Sequence, residues 1–233
     1  YIFDAATGAL AHSLSPSNPE ANAQFGFALD LDGTSLAIGI PFANVALGSS
    51  GLVALFYADT GVHRGNMSTG TTSSNRQFGY SVDISGNKLV VGSPNELTTG
   101  VRIGSARVID LLSWNLVDTL TNPSPAAGDR FGAAVAISDN IMGVAAAGDG
   151  TVNVGMGAAY VYQQKGLSAT LTAGELTISD ATLGVSNTLT VIRDGSDLVI
   201  TDTIEEFISA PGGGALENNR QTMRIPANLI TNA

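Results

Sequence analysis

FGFALDLDGTSLAIGIP at residues 25–41, FGYSVDISGNKLVVGSP at 78–94 and FGAAVAISDNIMGVAAA at 131–147 align without a gap. Phe25-Gly26, Phe78-Gly79 and Phe131-Gly132 therefore recur every 53 residues. The same step carries Ile2-Phe3 onto Leu55-Phe56, Val108-Ile109 and Val161-Tyr162, so a partial copy precedes the first Phe-Gly pair. A period of this length, built of short apolar runs and glycine, marks units that bury their faces against one another.

Within a copy, Leu29 and Leu31, Val82 and Ile84, and Val135 and Ile137 alternate with small or polar residues, the period of a strand with one buried face. Asp32-Gly33, Ser85-Gly86 and Ser138-Asp139-Asn140 suit tight hairpins, and a second apolar strand follows each at Leu36–Ile38, Leu89–Val91 and Ile141–Val144. Third strands are expected at Leu52–Tyr57, Ala106–Leu111 and Ala158–Tyr162. A fourth is expected at Val117–Leu120, with weaker equivalents near Leu14 and Met67. Four strands per unit make a propeller blade. The fold class expected is all-β: a partial β-propeller of four-stranded blades, then a small β-sandwich or β-solenoid-like tail.

Phe-Gly, a strand, a Gly-x-Pro tripeptide (Gly39-Ile40-Pro41, Gly92-Ser93-Pro94) and a further glycine before an apolar strand (Gly51, Gly104, Gly157) resemble the FG-GAP repeat of integrin α-subunit propellers and secreted bacterial proteins. The resemblance covers roughly residues 1–165, and the third copy departs from it at Ala145-Ala146-Ala147. It implies an extracellular or cell-surface setting and, in its calcium-binding members, an Asp-x-Asp-x-Asp-Gly loop that is not intact here. In physical terms Phe would wedge between blades, Gly would let backbones approach, and Pro would occupy a strand exit where no ladder donor is needed.

One partial and three full copies are few for a closed ring, which needs about four to eight blades. The expectation is a piece of a longer polypeptide or a homo-oligomer of partial rings. The 53-residue register fails after Gln163-Gln164-Lys165-Gly166, and the composition turns to Thr, Ile, Val, Leu and Asp. Two regions follow: blades over 1–166 and a β-rich segment over 167–233. Strands are expected in the latter at Leu171–Asp180, Thr188–Ile192 and Leu198–Thr203, with Arg193–Asp197 as a hairpin turn. Short strands are expected from Glu205 to Ala210 and from Arg224 to Ile230 around the Pro211–Gly214 loop. Leu167–Thr172 is expected to complete the last blade before the new sheet begins. A tail strand adding to a neighbour's sheet edge and a self-contained linker domain both stay open.

The chain has 10 basic and 20 acidic residues, a formal charge of −10. A basic nucleic-acid footprint is absent, and the acidic surplus opposes anionic membranes. No run approaches the roughly 20 apolar residues of a membrane helix. Cysteine is absent, which excludes disulfides, thiolate metal sites and cysteine nucleophiles. His12 and His63 are the only histidines and are expected in solvated loops, since no constellation of a triad or multi-histidine metal site accompanies them. Asp30 and Asp32 flank Leu31 and face one way, which makes them the candidate calcium ligands, with turn capping by Asp32 as the alternative. Trp114, Tyr57, Tyr80, Tyr160 and Tyr162 are candidates for a sugar-stacking platform or for strand packing. The Asn66-Met67-Ser68 sequon is expected in a loop.

The function expected is a non-catalytic structural or adhesive module, extracellular or at the cell surface, binding a protein or glycan through the variable loops at Phe42–Ser50, Asn95–Ile103 and Gly148–Met156. An accessory region of a secreted enzyme and a polymerising subunit of a surface layer or fibre are the alternatives.

Overall fold

The computed structural model describes residues 1–45, 48–69, 76–98, 100–150, 156–163, 167–172, 175–180, 189–194, 197–202, 207–209, 215–217 and 222–226. All of its regular structure among these residues is β. The chain folds as two units, Tyr1–Tyr162 and Gln163–Ala233.

The first unit opens with β1 (Ile2–Phe3) and β2 (Leu10–His12), a two-stranded sheet. Next come β3 (Ala28–Asp32), β4 (Ser35–Ile40), a small hairpin of β5 (Asn44–Val45) and β6 (Gly48–Ser49), then β7 (Leu52–Tyr57) and β8 (His63–Met67). β3, β4, β7 and β8 form one antiparallel meander, the first blade. The second repeats this plan with β9 (Ser81–Ser85), β10 (Lys88–Ser93), the hairpin β11 (Leu97–Thr98) and β12 (Val101–Arg102), β13 (Ser105–Asp110) and β14 (Leu116–Leu120). The third has three strands, β15 (Phe131–Ser138), β16 (Ile141–Ala146) and β17 (Ala158–Gln163).

The repeat extends to local irregularities. Phe3 pairs with Leu10, Phe56 with His63 and Ile109 with Leu116, and each pair adjoins a β-bulge one residue earlier. All three sit at one register, so β1 and β2 are the outer two strands of a blade. The inner hairpins turn on two residues, the first of which, Gly33, Gly86 or Asp139, has positive φ. That geometry matches the twist of the flanking strands.

The core lies between blades. Ala37, Val53, Leu55 and Met67 of the first blade meet Phe78, Ile84, Leu89 and Val91 of the second. One repeat later, Val90, Ala106, Val108 and Leu120 meet Phe131, Ile137, Met142 and Val144. Phe78 and Phe131 are 1% and 0% exposed, the wedges expected between blades. Gly39 and Gly92 lie on the carbonyls of Gly79 and Gly132, where any Cβ would overlap the oxygen. The glycines of Phe-Gly and of Gly-x-Pro thus exist for each other, across the junction.

In the second unit β18 (Leu167–Thr172) pairs with β19 (Glu175–Asp180), and β20 (Leu189–Asp194) with β21 (Asp197–Asp202). β22 (Phe207–Ser209) lies parallel to β18, and β23 (Ala215–Glu217) joins β24 (Thr222–Pro226), which adds to β21. Val199, Ile200, Met223 and Ile225 are buried there. Leu167–Thr172 pairs within this unit and does not complete the third blade. The run from Leu171 to Asp180 spans the end of one strand and the whole of the next, since Thr172 turns back to pair Glu175. The Pro211–Gly214 loop and residues 195 and 196 of the Arg193–Asp197 turn lie outside the described residues.

Candidate functional site

Successive blades are joined by side chains that reach from one inner strand to the backbone of the next. The Ile84 N–H donates to Asp30 Oδ2 at 2.7 Å, and the Ile137 N–H to Asp83 Oδ2 at 2.5 Å. Two residues on, the Gly86 N–H donates to Asp32 Oδ2 at 2.7 Å and the Asp139 N–H to Ser85 Oγ at 3.0 Å. The inner strand of a sheet has outward-pointing N–H groups that need acceptors, and the preceding blade supplies them. Asp32 therefore serves the turn of the next blade. Charge-assisted bonds of this kind are the stronger class.

Asp30 and Asp32 both face the second blade, and Asp30 also meets Asp83 side chain to side chain. Burial raises the Asp83 pKa above the ordinary carboxylate value, the Ile137 N–H opposes this, and the Asp30 carboxyl adds to the rise. Among the described residues no group of three or more His, Asp or Glu side chains is placed to hold a metal ion.

A second polar centre lies where the blades lead into the small hairpins, and no sequence motif announced it. Glu96, 6% exposed, binds Arg76 and, at 2.6 Å, Arg107 through Oε1, and accepts from Ser105 Oγ at 2.5 Å through Oε2. One repeat later the same three registers hold Asp129, Asp149 and Tyr160. There Asn122 Nδ2 donates to both carboxylates, at 2.8 and 2.9 Å, and the Tyr160 hydroxyl donates to Asp149 at 2.5 Å. One repeat earlier the registers hold Ala23, Ala43 and Ala54, all buried. The signal was present in the sequence, but only as a comparison of three copies.

A groove with exposed aromatic rings lies at the opposite end of the blades. Tyr57, His63, Arg64, Leu111, Leu112 and Trp114 line a groove between the outer strands of the first and second blades. Trp114, held at φ 63°, lies against Gly65, where a Cβ would press into the indole ring. Tyr57 is 43% and Trp114 38% exposed. The Arg64 guanidinium lies 4.8 Å from the Tyr57 ring centroid and donates to Ser35 Oγ and the Leu111 carbonyl, which bridges the two blades.

Of the other aromatics, Tyr160 and Tyr162 pack on Phe131, and Tyr80 on Phe27. Burial, then Tyr160, pushes the Tyr162 phenol up to about 12. The histidines are not in loops: His12 lies on β2 with Nε2 3.0 Å from the Asp59 carbonyl, and His63 on β8 with Nε2 2.9 Å from Asn66 Oδ1. Asn66 likewise sits on β8 rather than in a loop, exposed, with Nδ2 donating to Ser17 Oγ at 3.0 Å. The Phe42–Ser50 and Asn95–Ile103 segments hold the small hairpins; residues 46, 47, 99 and 151–155 of the three variable loops lie outside the described residues.

Comparison with known protein families matches the FG-GAP repeat at residues 70–109 and 114–162. No curated protein matches the chain. Among solved structures, the hydrazine synthase of Kuenenia stuttgartiensis is similar at 14% identity and a TM-score of 0.39, over 89% of this chain. The chain spans 60% of the length of that one. Among the described residues no helix is long and apolar enough to cross a membrane.

Proposed function

We propose, from the premise that this is an FG-GAP repeat chain of propeller type, that it works as a non-catalytic extracellular structural or adhesive module. One observation carries the reading: Asp30 and Asp32, the carboxylates that sequence alone offered for chemistry, are engaged in holding blades together, as are Asp83 and Glu96. Asp30, Asp32 and Asp83 each accept a backbone N–H from the next blade, and Glu96 is closed by two arginines and a serine. A general acid or base needs a lone pair or proton aimed at open space where substrate can sit.

The Tyr57–Trp114 groove supplies what a binding module needs: exposed rings on two rigid blades, beside a guanidinium fixed by three contacts. Flat aromatic surface with an adjacent donor suits the apolar face of a sugar or a peptide side chain. Purified chain is to be tested against an array of defined oligosaccharides and fibrous extracellular proteins, with Trp114→Ala beside it. Binding weakened about tenfold by the variant supports the reading. Turnover of any array member that Asp30→Asn abolishes would overturn it.

A further inference from the structure

The buried side-chain atoms that have no hydrogen-bond partner among the described residues all belong to one junction, between the first and second blades. They are Ser50 Oγ, Arg76 Nε, Gln77 Oε1, Ser93 Oγ and Arg107 Nη1. A native fold leaves few such atoms, and a group of them at one place asks for a common partner. Two of these registers are apolar in the other copies: Ser50 gives way to Ile103 and Met156, and Ser93 to Ile40 and Ala146. The polarity is therefore local to this junction and is not part of the repeat.

Strand register brings the atoms together. Ser93 pairs with Ser105 and Val91 with Arg107, so Ser93, Ser105 and Arg107 leave the second blade on the face that turns Leu89 and Val91 toward the first. The Arg107 guanidinium lies 5.9 Å from the centroid of the Phe78 ring, and the Phe78 N–H donates to the Ser50 carbonyl at 3.0 Å. Arg76 and Gln77 immediately precede Phe78, and Arg76 meets Arg107 on Glu96 Oε1. The five atoms thus cluster about one buried ring.

Glu96 itself is satisfied, but the charge around it is not balanced. Two guanidinium cations face one carboxylate, which leaves one positive charge on side chains that are 12% (Arg76), 16% (Arg107) and 8% (Glu96) exposed. At that depth water screens little, and an uncompensated cation is costly. Four of the five atoms are donors, an N–H group from each arginine and a hydroxyl from each serine. Gln77 becomes a fifth when its amide turns over and exchanges Oε1 for NH2.

We propose that this junction binds one chloride ion, held by Arg76 Nε, Arg107 Nη1, Ser50 Oγ and Ser93 Oγ, and that the ion ties the first blade to the second. A single negative charge cancels the surplus, whereas a sulfate or phosphate dianion overshoots it. Water would meet the donors but leave the charge. Arg107 also lines an open cavity of about 370 Å³ with Phe78, Ile109 and Trp114, which gives a small ion a route from solvent.

Urea unfolding of the full chain is followed at fixed ionic strength while sodium chloride replaces sodium gluconate, whose anion is too large for a closed site. The midpoint should rise with the logarithm of chloride concentration above the dissociation constant. Ser93→Ala removes one donor and should raise that constant about tenfold, the worth of one hydrogen bond to a charged group. Arg107→Met keeps an unbranched stem on Phe78 and leaves Arg76 and Glu96 balanced one to one, so its midpoint should be indifferent to chloride. Crystals grown in sodium bromide should carry one anomalous peak in contact with Arg76 and Arg107. A midpoint that ignores chloride overturns the proposal. So does a chloride dependence that is the same in the unaltered chain and in both variants, which marks a general salt effect, and so does water in place of bromide between the two arginines. If Arg107→Met does not fold, Ser93→Ala and the bromide peak decide.

Discussion

Truncating the same register in two neighbouring blades separates packing between blades from intrinsic strand preference. Ile84 and Leu31 occupy equivalent sites on inner strands β9 and β3, but Ile84 is 5% exposed at a junction while Leu31 is 53% exposed. Ile84→Ala deletes buried methyl and methylene groups from the cluster that contains Phe78 and Leu89, and a deletion of this kind costs about 2–5 kcal/mol. Leu31→Ala removes atoms already half in water and should cost under about 1 kcal/mol. Trp114 is the sole tryptophan and lies against Gly65 across the same junction, so its fluorescence follows the unfolding of the first unit. With a urea slope of about 2 kcal/mol/M for a unit of this size, Ile84→Ala should lower the midpoint by about 1–2.5 M and Leu31→Ala by less than about 0.5 M. Equal shifts for the two variants would refute the claim that stability resides between blades.

Three other outcomes follow from the polar groups. Glu96→Ala strands the two arginines it neutralises, a loss of about 3–5 kcal/mol, whereas Arg76→Ala, Glu96→Ala and Arg107→Ala together recreate the Ala23, Ala43 and Ala54 junction and should cost less than the single change, as urea melts will read. Absorbance titration should find one of the five tyrosines ionising near pH 12; with Tyr162 raised from 10.0 to about 12, its contribution to stability is whole below pH 10 and is lost as pH rises to about 12. The Asp83 pKa is also raised, so the folded state holds that proton more tightly than the unfolded state does. Its contribution is whole below pH 3.8 and is lost as pH climbs through the raised value, and Asp83→Asn should flatten the melting temperature across that window.

How far the fold could be read from sequence depended on whether the physical cause was periodic. Strand placement was legible because Leu29/Leu31 and Val82/Ile84 alternate in step with the pleat, and the Phe-Gly pairs marked junctions because only a wedge and a Cβ-free backbone fit there. The fourth strands were faint since their exposed residues, as in Leu116–Leu120, need no apolar pattern. The second unit misled where Leu171–Asp180 looked like one run, because both strands of the hairpin have the same Thr, Leu, Ile and Asp composition and composition alone does not mark where a chain turns back. Site chemistry was least legible. Asp30 and Asp32 look like cation ligands until the donors 54 residues away in sequence are brought to them. Tyr57, Arg64 and Trp114 come from two blades, and no spacing in the chain encodes their meeting.

The copies differ in a way that gives the array a direction. At the junction ends, one set of registers is apolar in the first blade, ionic in the second and acidic with an amide in the third, so these positions tolerate any self-satisfied group. The inner-strand staple tolerates less, because the N–H it serves is fixed by the backbone. Asp30 and Asp83 hold it, while Ala136 gives it up. The trailing face accordingly carries Gly143, Ala145 and Ala159, with Val161 76% exposed, and keeps an oxygen only at Ser138, the register of Asp32 and Ser85, with none at Ala136. The leading face keeps both demands, apolar cover for Leu29 and Leu31 and an oxygen for the Leu31 amide.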